Sequence, residues 1–164
     1  MTEVYVAAGS NVAPFVNLPK ALRELRKHYP GMRLSPAYRN QAVGFVGEDF
    51  VNLVVGFSTD DSVQQVMAHL HEAEAVCGRP RDAPKWAPRT MDLDLLMYGD
   101  LQLSEPGLKI PRPDLLKRPY MLRPMAELAP ARRHPVLGQP MRDLWRAFDS
   151  GDNGHDMEPV TLDL

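Results

Sequence analysis

Two aspartates, Asp92 and Asp94, are separated by a single residue within the otherwise apolar segment MDLDLLMY. Because side chains alternate faces along a strand, Met91, Leu93 and Leu95 would point to one side and both carboxylates to the other. Like charges this close are unfavourable unless one is protonated or a cation lies between them. A hard divalent cation with oxygen ligands fits this arrangement. A solvent-exposed strand face with two hydrated aspartates is the alternative.

Arginines are frequent on both sides of this aspartate pair. Guanidinium groups match phosphate oxygens in a bidentate fashion, and carboxylates that hold Mg²⁺ beside arginines are what phosphoryl-type transfer needs. Any one of these arginines could be a hydrated loop residue without a function. The interpretation as a phosphate site therefore rests on the concentration of several arginines around one Asp-x-Asp motif. They are Arg79, Arg81, Arg89, Arg112, Arg118 and Arg123.

A second candidate pocket involves two aromatic residues and an amide. Phe50 and Asn52 share one face of the predicted strand FVNLVV, and Tyr120 follows downstream. An aromatic platform beside a group that both donates and accepts hydrogen bonds suits a flat, polar heterocycle. The alternative is that Phe50 is an ordinary core residue and Asn52 an edge residue.

Composition excludes several classes of protein. The 164 residues, 44% hydrophobic and 24% charged, fit one globular domain. A formal charge of −2 gives no basic field for nucleic acid. The single cysteine, Cys77, excludes an internal disulfide framework and fits a reducing, cytoplasmic compartment. No apolar run approaches the ~20 residues of a membrane span.

Two further negative findings concern nucleotides and metals. Neither GxxxxGK[ST] nor GxGxxG is present, so side chains would have to hold any nucleotide. His69 and His71 are two residues apart on a predicted helix and would point to different sides, which makes them a poor zinc pair. We expect His28, His134 and His155 to be surface residues.

The hydrophobic pattern predicts an alternation of strands and helices. The order strand, helix, strand, strand, helix, strand is that of the ferredoxin-like βαββαβ sandwich, an α+β fold. We expect an antiparallel sheet with the two main helices on one face and the active site on the other. The strands are predicted at 4–8, 32–39, 50–57 and 92–98, and the helices at 17–28 and about 59–77. A short return strand is predicted at 101–103, irregular structure with short helical turns at 111–130, and a last helix at 141–148.

The predicted domain organisation is simple. Residues 1–149 would form a single domain. The remaining segment, 150–164, is acidic and poor in apolar residues, so we expect a flexible tail.

Five segments of the chain match the motifs of one known family in order and spacing, over about residues 3–148. They are AAGSN from Ala7, F-x-N from Phe50, E-x-x-x-G-R from Glu74, W-x-P-R-T-x-D-L-D from Trp86 and R-P-Y-M-L-x-P-M-x-E-L-A-P from Arg118. With these motifs the chain resembles 6-hydroxymethyl-7,8-dihydropterin pyrophosphokinase of folate synthesis. The resemblance implies transfer of pyrophosphate from ATP to the pterin hydroxymethyl group, which gives AMP and the pterin diphosphate.

The resemblance also implies roles for individual residues. Asp92 and Asp94 would hold two Mg²⁺ ions, and Arg79 and Arg89 would be the catalytic arginines that meet the phosphates. The loops 9–15, 40–49 and 78–86 would close over the substrates and exclude water. The implied pterin-binding residues are Val43, Gly44, Phe50, Asn52 and Tyr120, and the implied ATP-binding residues are His71, Glu74, Arg81, Trp86, Leu95, Arg112 and Arg118.

Three positions on the ATP side depart from the family pattern. Arg112, followed by Pro113, stands where the family has a histidine, Gly107 where an arginine is often found, and Asp82 where a basic residue occurs. These departures motivate one alternative, a diverged paralogue that binds pterin as a sensor or scaffold without catalysis. A second alternative is a Mg²⁺-dependent phosphohydrolase, which the lack of an obvious base for activating water opposes. We expect a monomer that binds small molecules and neither nucleic acid nor membrane.

Overall fold

A computed structural model describes residues 1–40, 49–78, 91–149 and 157–164 of the chain. No helix among these residues combines the length and the apolar character that a membrane span requires. The strands are β1 (Thr2–Ser10), β2 (Arg33–Leu34), β3 (Ala37–Asn40), β4 (Phe50–Thr59), β5 (Asp92–Tyr98), β6 (Leu103–Glu105), β7 (Leu108–Ile110) and β8 (Glu158–Val160), and the helices are α1 (Pro14–His28), α2 (Val63–Val76), α3 (Pro119–Leu128) and α4 (Met141–Asp149), with a 3₁₀ turn at Pro113–Leu116.

Six strands form one antiparallel sheet, in which β1 lies between β5 and β4. The strand order is β5-β1-β4-β3-β8, and β2 pairs separately with β4. The helical connection from β1 through α1 passes over β4, and the connection from β4 through α2 passes over β1. This pair of interleaved crossovers is the ferredoxin-like arrangement, so the predicted α+β fold is confirmed.

The helices α1 and α2 cover one face of the sheet, as the sequence predicts. Leu18, Leu22 and Leu25 recur along α1 at helical spacing, and all three are buried against the sheet. From the sheet side, Leu53 and Leu93 point into the same core. Burial of each large aliphatic side chain contributes about 1.5–3 kcal/mol to the free energy of unfolding.

The second face of the sheet is less open than predicted, because α3 and α4 cover part of it. The prediction of irregular structure at 111–130 is wrong for α3, which runs from Pro119 to Leu128. Pro119 occupies the first turn, where a missing N–H costs nothing, although Pro124 lies in the helix interior. Burial of Met121, Leu122 and Met125 against this face outweighs the poor intrinsic propensity.

The predicted strand 32–39 is divided into β2 and β3. Pro36 has no N–H to donate to a neighbouring strand. Ser35 bridges the interruption, since its N–H donates to the carbonyl of Val54 (2.9 Å) and its Oγ accepts from the Val54 N–H (2.8 Å).

The last residues also differ from the predicted flexible tail. Glu158–Val160 forms β8, which pairs with β3 and adds a strand to the sheet edge. Met157 is buried, and Val160 and Leu162 pack against the main core. Three apolar side chains are enough to hold the segment because the open edge of β3 supplies backbone hydrogen-bond partners.

Replacement of Ser62 by alanine tests how α2 begins. Ser62 Oγ accepts from the Gln65 N–H (3.2 Å), and Gln65 Oε1 accepts from the Ser62 N–H (2.7 Å), which makes a capping box. We expect Ser62→Ala to lower the free energy of unfolding by about 1 kcal/mol in chemical denaturation. The control is Gln64→Ala at an exposed position of the same helix, which should change it by less than about 0.5 kcal/mol. Equal effects would contradict the capping assignment.

Candidate active site

The neighbouring strand β1 positions both aspartates of β5. Asp92 lies opposite Gly9 and Asp94 opposite Ala7 in the β1–β5 ladder. Leu93 and Leu95 are buried in the core beneath α1 and α2. Both carboxylates therefore project from the opposite face, where they are half-buried, as the alternation of residue types predicts.

The helix α2 fixes the start of β5. The N–H of Leu93, the residue between the two aspartates, donates to Glu74 Oε2 (2.9 Å). Glu74 therefore ties the carboxylate-bearing strand to α2. His71 lies on the exposed side of α2, one turn before Glu74.

One row of residues crosses the sheet from the aspartates towards Asn52. Gly9 of β1 lies between Asp92 of β5 and Asn52 of β4, and Tyr38 of β3 follows Asn52. A methyl group on Gly9 would overlap the side-chain oxygen of Asn52. Asn52 Nδ2 donates to Asn40 Oδ1 (2.7 Å), which orients the amide. The absence of a side chain at Gly9 therefore leaves room for the Asn52 amide in the middle of this row.

The alternative interpretation, in which Phe50 is an ordinary core residue and Asn52 lies on an edge strand, does not hold. Phe50 begins β4 and is only partly buried. Asn52 is buried in β4, which lies inside the sheet between β1 and β3. The two residues are two apart, so they share the face that carries the aspartates.

Within the described part of the chain, the predicted phosphate-binding residue Arg112 lies beside Asp94. Its N–H donates to the carbonyl of Leu96 (2.9 Å), which holds its backbone against β5. Its Nη2 lies 3.7 Å from Asp94 Oδ1, and its Nε lies 3.5 Å from Asp114 Oδ2. The guanidinium group therefore partly offsets the negative charge on this face.

Tyr120 on α3 lies near the same charges. Burial raises the pKa of its phenol, the positive charges of Arg118 and Arg112 lower it, and the negative charges of Asp114 and Asp94 raise it further. The hydroxyl group therefore stays neutral at physiological pH. Arg118 precedes α3 and is exposed.

Arg123 lies at the other end of the row instead of beside the aspartates. Its guanidinium group stacks 4.4 Å from the ring centre of Tyr38 and lies 3.8 Å from Glu127, one helical turn away on α3. Tyr38 donates its hydroxyl to Glu127 Oε1 (2.5 Å), and burial together with this hydrogen bond raises the pKa of Tyr38 to about 12. Sequence spacing grouped Arg123 with the other arginines because it does not reveal the path of α3.

Several predicted site residues are placed differently or are not described. The side chain of Leu95 is buried beneath the helices, so any contact with a nucleotide would involve its backbone. The prediction of a surface position for His134 is wrong, because its ring is buried and its Nδ1 accepts from the N–H groups of Val136 and Leu137. The remaining predicted residues lie outside the described part of the chain. These are Val43, Gly44, Arg79, Arg81, Trp86 and Arg89, together with His155 and the variant position Asp82.

Sequence reasoning missed the contributions of Gly9, Asn40 and Tyr38. It ended the first strand at Gly9, whereas β1 continues to Ser10. A glycine inside a strand often marks a close approach of another group, and that signal was available. The Asn52–Asn40 hydrogen bond and the Tyr38 position follow from strand order, which local pattern does not encode.

The fold and the row define an α+β domain with a carboxylate-bearing cleft that an arginine and two aromatic residues flank. A family model described as 7,8-dihydro-6-hydroxymethylpterin-pyrophosphokinase (HPPK) matches residues 5–130. The chain belongs to this family.

Named relatives agree with this assignment over most of the chain. The 2-amino-4-hydroxy-6-hydroxymethyldihydropteridine pyrophosphokinase of Aquifex aeolicus is 31% identical over 145 residues, which cover 87% of this chain and 90% of that protein. The protein of the same name from Synechocystis is 37% identical over 148 residues, covering 88% and 75% of the two chains. That from Pseudomonas aeruginosa is 37% identical over 136 residues, covering 80% and 83%.

Solved structures share the fold at low sequence identity. The crystal structure of wild-type Plasmodium falciparum HPPK-DHPS with SDX-DHP superposes with a TM-score of 0.67 at 14% identity. The match covers 92% of this chain and 44% of that one, so this chain spans less than half of the Plasmodium protein.

Replacement of Gly9 by alanine tests the close approach at the centre of the row. We expect Gly9→Ala to lower the free energy of unfolding by about 1–3 kcal/mol, because the new methyl group displaces the Asn52 amide. Gly31→Ala is the control, since no atom lies within 4 Å of the position that its new methyl group would take; it should be neutral or stabilise by up to about 1 kcal/mol. Equal losses in the free energy of unfolding for the two variants, measured by chemical denaturation, would contradict the steric argument.

Proposed function

We propose that the protein transfers the pyrophosphoryl group of ATP to the hydroxymethyl oxygen of 6-hydroxymethyl-7,8-dihydropterin, in folate biosynthesis. That oxygen would bond to the β-phosphorus, the bond from this phosphorus to the AMP oxygen would break, and the hydroxyl proton would leave. The observation that carries the proposal is the row in which Gly9 separates Asp92 from Asn52. It puts groups suited to a metal–phosphate complex and to a heterocycle on one sheet face.

The pterin would bind over the Asn52 end of the row. An amide both donates and accepts hydrogen bonds, as does the pyrimidinone edge of a pterin. The hydrogen bond to Asn40 supports this role because it fixes which way the amide points. Phe50 and Tyr120 would enclose the ring from two sides, and Val43 and Gly44 would contribute backbone groups.

ATP would bind over the Asp92 end. Mg²⁺ prefers oxygen ligands, so Asp92 and Asp94 fit the ion, and we propose that they hold two Mg²⁺ ions. When bound to these carboxylates, Mg²⁺ would supply positive charge that offsets the negative charge developing on the phosphate group during transfer. The other proposed ATP contacts are His71, Glu74, Arg81, Trp86, Leu95, Arg112 and Arg118.

The arginines would neutralise the migrating group. We propose that Arg79 and Arg89 act as catalytic arginines, which stabilise charge on the β- and γ-phosphates through charge-assisted hydrogen bonds. The predicted loop 9–15 is limited to residues 11–13, because β1 extends to Ser10 and α1 begins at Pro14. We propose that residues 11–13 and the predicted loops 40–49 and 78–86 close over both substrates. Their closure matters because water competes with the pterin hydroxyl group as a nucleophile.

One observation favours a second candidate function, the pterin-binding paralogue without catalysis. Arg112 stands where the family has a histidine, and its guanidinium group lies 3.7 Å from Asp94. A permanent positive charge beside a proposed metal ligand competes with Mg²⁺ for that carboxylate. Tight pterin binding without turnover at high ATP would support this candidate over the enzyme.

We also propose that the chain acts as a cytoplasmic monomer that does not bind nucleic acid. The formal charge of −2 and the aspartates on the open sheet face support the last point, because both repel a phosphate backbone. The free cysteine Cys77 fits a reducing compartment.

The test of the proposed function is product analysis with the purified chain, Mg²⁺, ATP and 6-hydroxymethyl-7,8-dihydropterin. We expect AMP and pterin diphosphate in equal amounts. Pterin binding in calorimetry without AMP would select the non-catalytic paralogue, and phosphate release from ATP without pterin would select the phosphohydrolase.

Removal of one carboxylate charge tests the metal-binding role. We expect Asp92→Asn to reduce AMP formation by roughly a hundredfold or more, since metal stabilisation of the transition state is worth several kcal/mol. The midpoint of thermal unfolding should change little. The matched control is Asp60→Asn, whose side chain is 84% exposed at the far end of β4 and whose activity should be normal. Unfolding of the Asp92 variant, without any change in metal dependence, would refute the assignment.

Removal of the Arg112 guanidinium group tests its place on the ATP side. We expect Arg112→Ala to raise the KM for ATP roughly tenfold, since a hydrogen bond to a charged group is worth about 1.5–3 kcal/mol. The Kd for pterin should be unchanged. Arg23→Ala, at an exposed position of α1, controls for loss of positive charge. A change in the Kd for pterin with no change in the KM for ATP would contradict the assignment of Arg112 to the ATP side.

A further inference from the structure

A second cluster of polar groups lies at the opposite end of the sheet from the aspartates. His28 is the last residue of α1, and His69 and Glu72 lie one turn apart on α2. The cluster adjoins Tyr98 at the far end of β5, whose hydroxyl donates to the carbonyl of Asp61 (2.6 Å). Tyr98 comes six positions after Asp92 along β5, a distance of roughly 20 Å. The cluster is therefore distinct from the candidate active site.

Three candidate ligand atoms of this cluster lie close to one another. Glu72 Oε2 lies 3.5 Å from His28 Nε2 and 3.6 Å from His69 Nδ1. All three ligand atoms lie within 4.8 Å of one another. A tetrahedral zinc ion with bonds of about 2.0–2.1 Å separates its ligand atoms by roughly 3.4 Å. The Glu72 distances are therefore close to those of a zinc coordination sphere.

The environment of His69 is that of a metal ligand. Its Nδ1 atom is buried and has no hydrogen-bond partner within the described part of the chain. Its other nitrogen, Nε2, lies 3.6 Å from Asp61 Oδ2, and Asp61 Oδ2 accepts the Tyr29 hydroxyl (2.8 Å). Metal-binding histidines commonly have a carboxylate at the second ring nitrogen, which fixes the tautomer and raises ligand basicity.

We propose that His28 Nε2, His69 Nδ1 and Glu72 Oε2 bind one zinc-type transition-metal ion, with water as the fourth ligand. Two imidazoles and one carboxylate suit Zn²⁺, whereas Mg²⁺ prefers oxygen ligands alone. The two rings are stacked at 3.7 Å with an angle of 26° between their planes. Because the lone pairs lie in the ring planes, the exposed His28 ring would have to rotate out of this stacked arrangement to direct Nε2 at the ion.

The bound ion would act as a clip between helices. His28 ends α1, while His69 and Glu72 belong to α2, so one ion joins the two helices that cover the same sheet face. A ligand that binds only the folded chain raises its free energy of unfolding by an amount that grows with the logarithm of the ligand concentration above Kd. The role is structural, because the cluster contacts neither the aspartates nor the row at Gly9.

Sequence spacing alone did not find this site. His69 and His71 do point to different sides of α2, as expected, and His71 is exposed. The partner of His69 is His28, which comes 41 residues earlier and was expected to be a surface residue. Packing of α1 against α2 brings the two together.

The test is calorimetric titration of the full chain, without a histidine tag, with Zn²⁺. We expect one ion per chain and at least a roughly tenfold weaker Kd in His28→Ala and in Glu72→Gln, the lower range for loss of a metal-site partner. Both substitutions are at exposed positions, so the variants should fold. His71→Ala removes a neighbouring histidine that is not a ligand and should leave the Kd unchanged, as should Asp92→Asn.

Thermal unfolding gives a second readout that does not depend on enzymatic activity. Zn²⁺ should raise the Tm of the native chain and of His71→Ala but not that of His28→Ala. The proposal is overturned if Zn²⁺ does not bind, if His28→Ala binds it as tightly as the native chain, or if Asp92→Asn abolishes binding. None of these outcomes bears on whether the chain forms AMP.

Discussion

The close contact between three strands at Gly9 is the constraint on which the site depends. Gly9 pairs with Asn52 on one side and Asp92 on the other, and a side chain there would collide with the Asn52 amide. Because β1 lies between β5 and β4, this single position sets the spacing between the Asp92 carboxylate and the Asn52 amide. Substrates that must react with each other need such a fixed separation, since misplacement by 1 Å can cost about a hundredfold in rate.

Charge on this face is arranged around the same strand. Asp92 and Asp94 project from β5, and Arg112 is held to β5 through the carbonyl of Leu96. On the opposite face of the sheet, a hydrogen bond from the Leu93 N–H to Glu74 on α2 fixes the strand that carries the carboxylates. The core beneath α1 and α2 therefore supports the site directly, and the α3–α4 layer supplies Tyr120 at its rim.

Regular periodicity made part of this structure predictable. The leucine spacing of α1 predicts a helix and the alternation of residue types in β5 predicts a strand, and both elements are confirmed. The helix α3 was not predictable from pattern because Pro124 argues against it and only tertiary burial favours it. The strand β8, the Arg112–Asp94 ion pair and the approach of His28 to His69 join residues far apart in sequence. Such contacts follow from strand order and helix packing, which no local window contains.

The most direct test of the account is a crystal structure of the chain with Mn²⁺, a non-hydrolysable ATP analogue and 6-hydroxymethyl-7,8-dihydropterin. The account predicts anomalous peaks for Mn²⁺ at Asp92 and Asp94, and a pterin ring that is hydrogen-bonded to Asn52 across Gly9. Pterin density away from Asn52, or Mn²⁺ that avoids both aspartates while the nucleotide is bound, would contradict it.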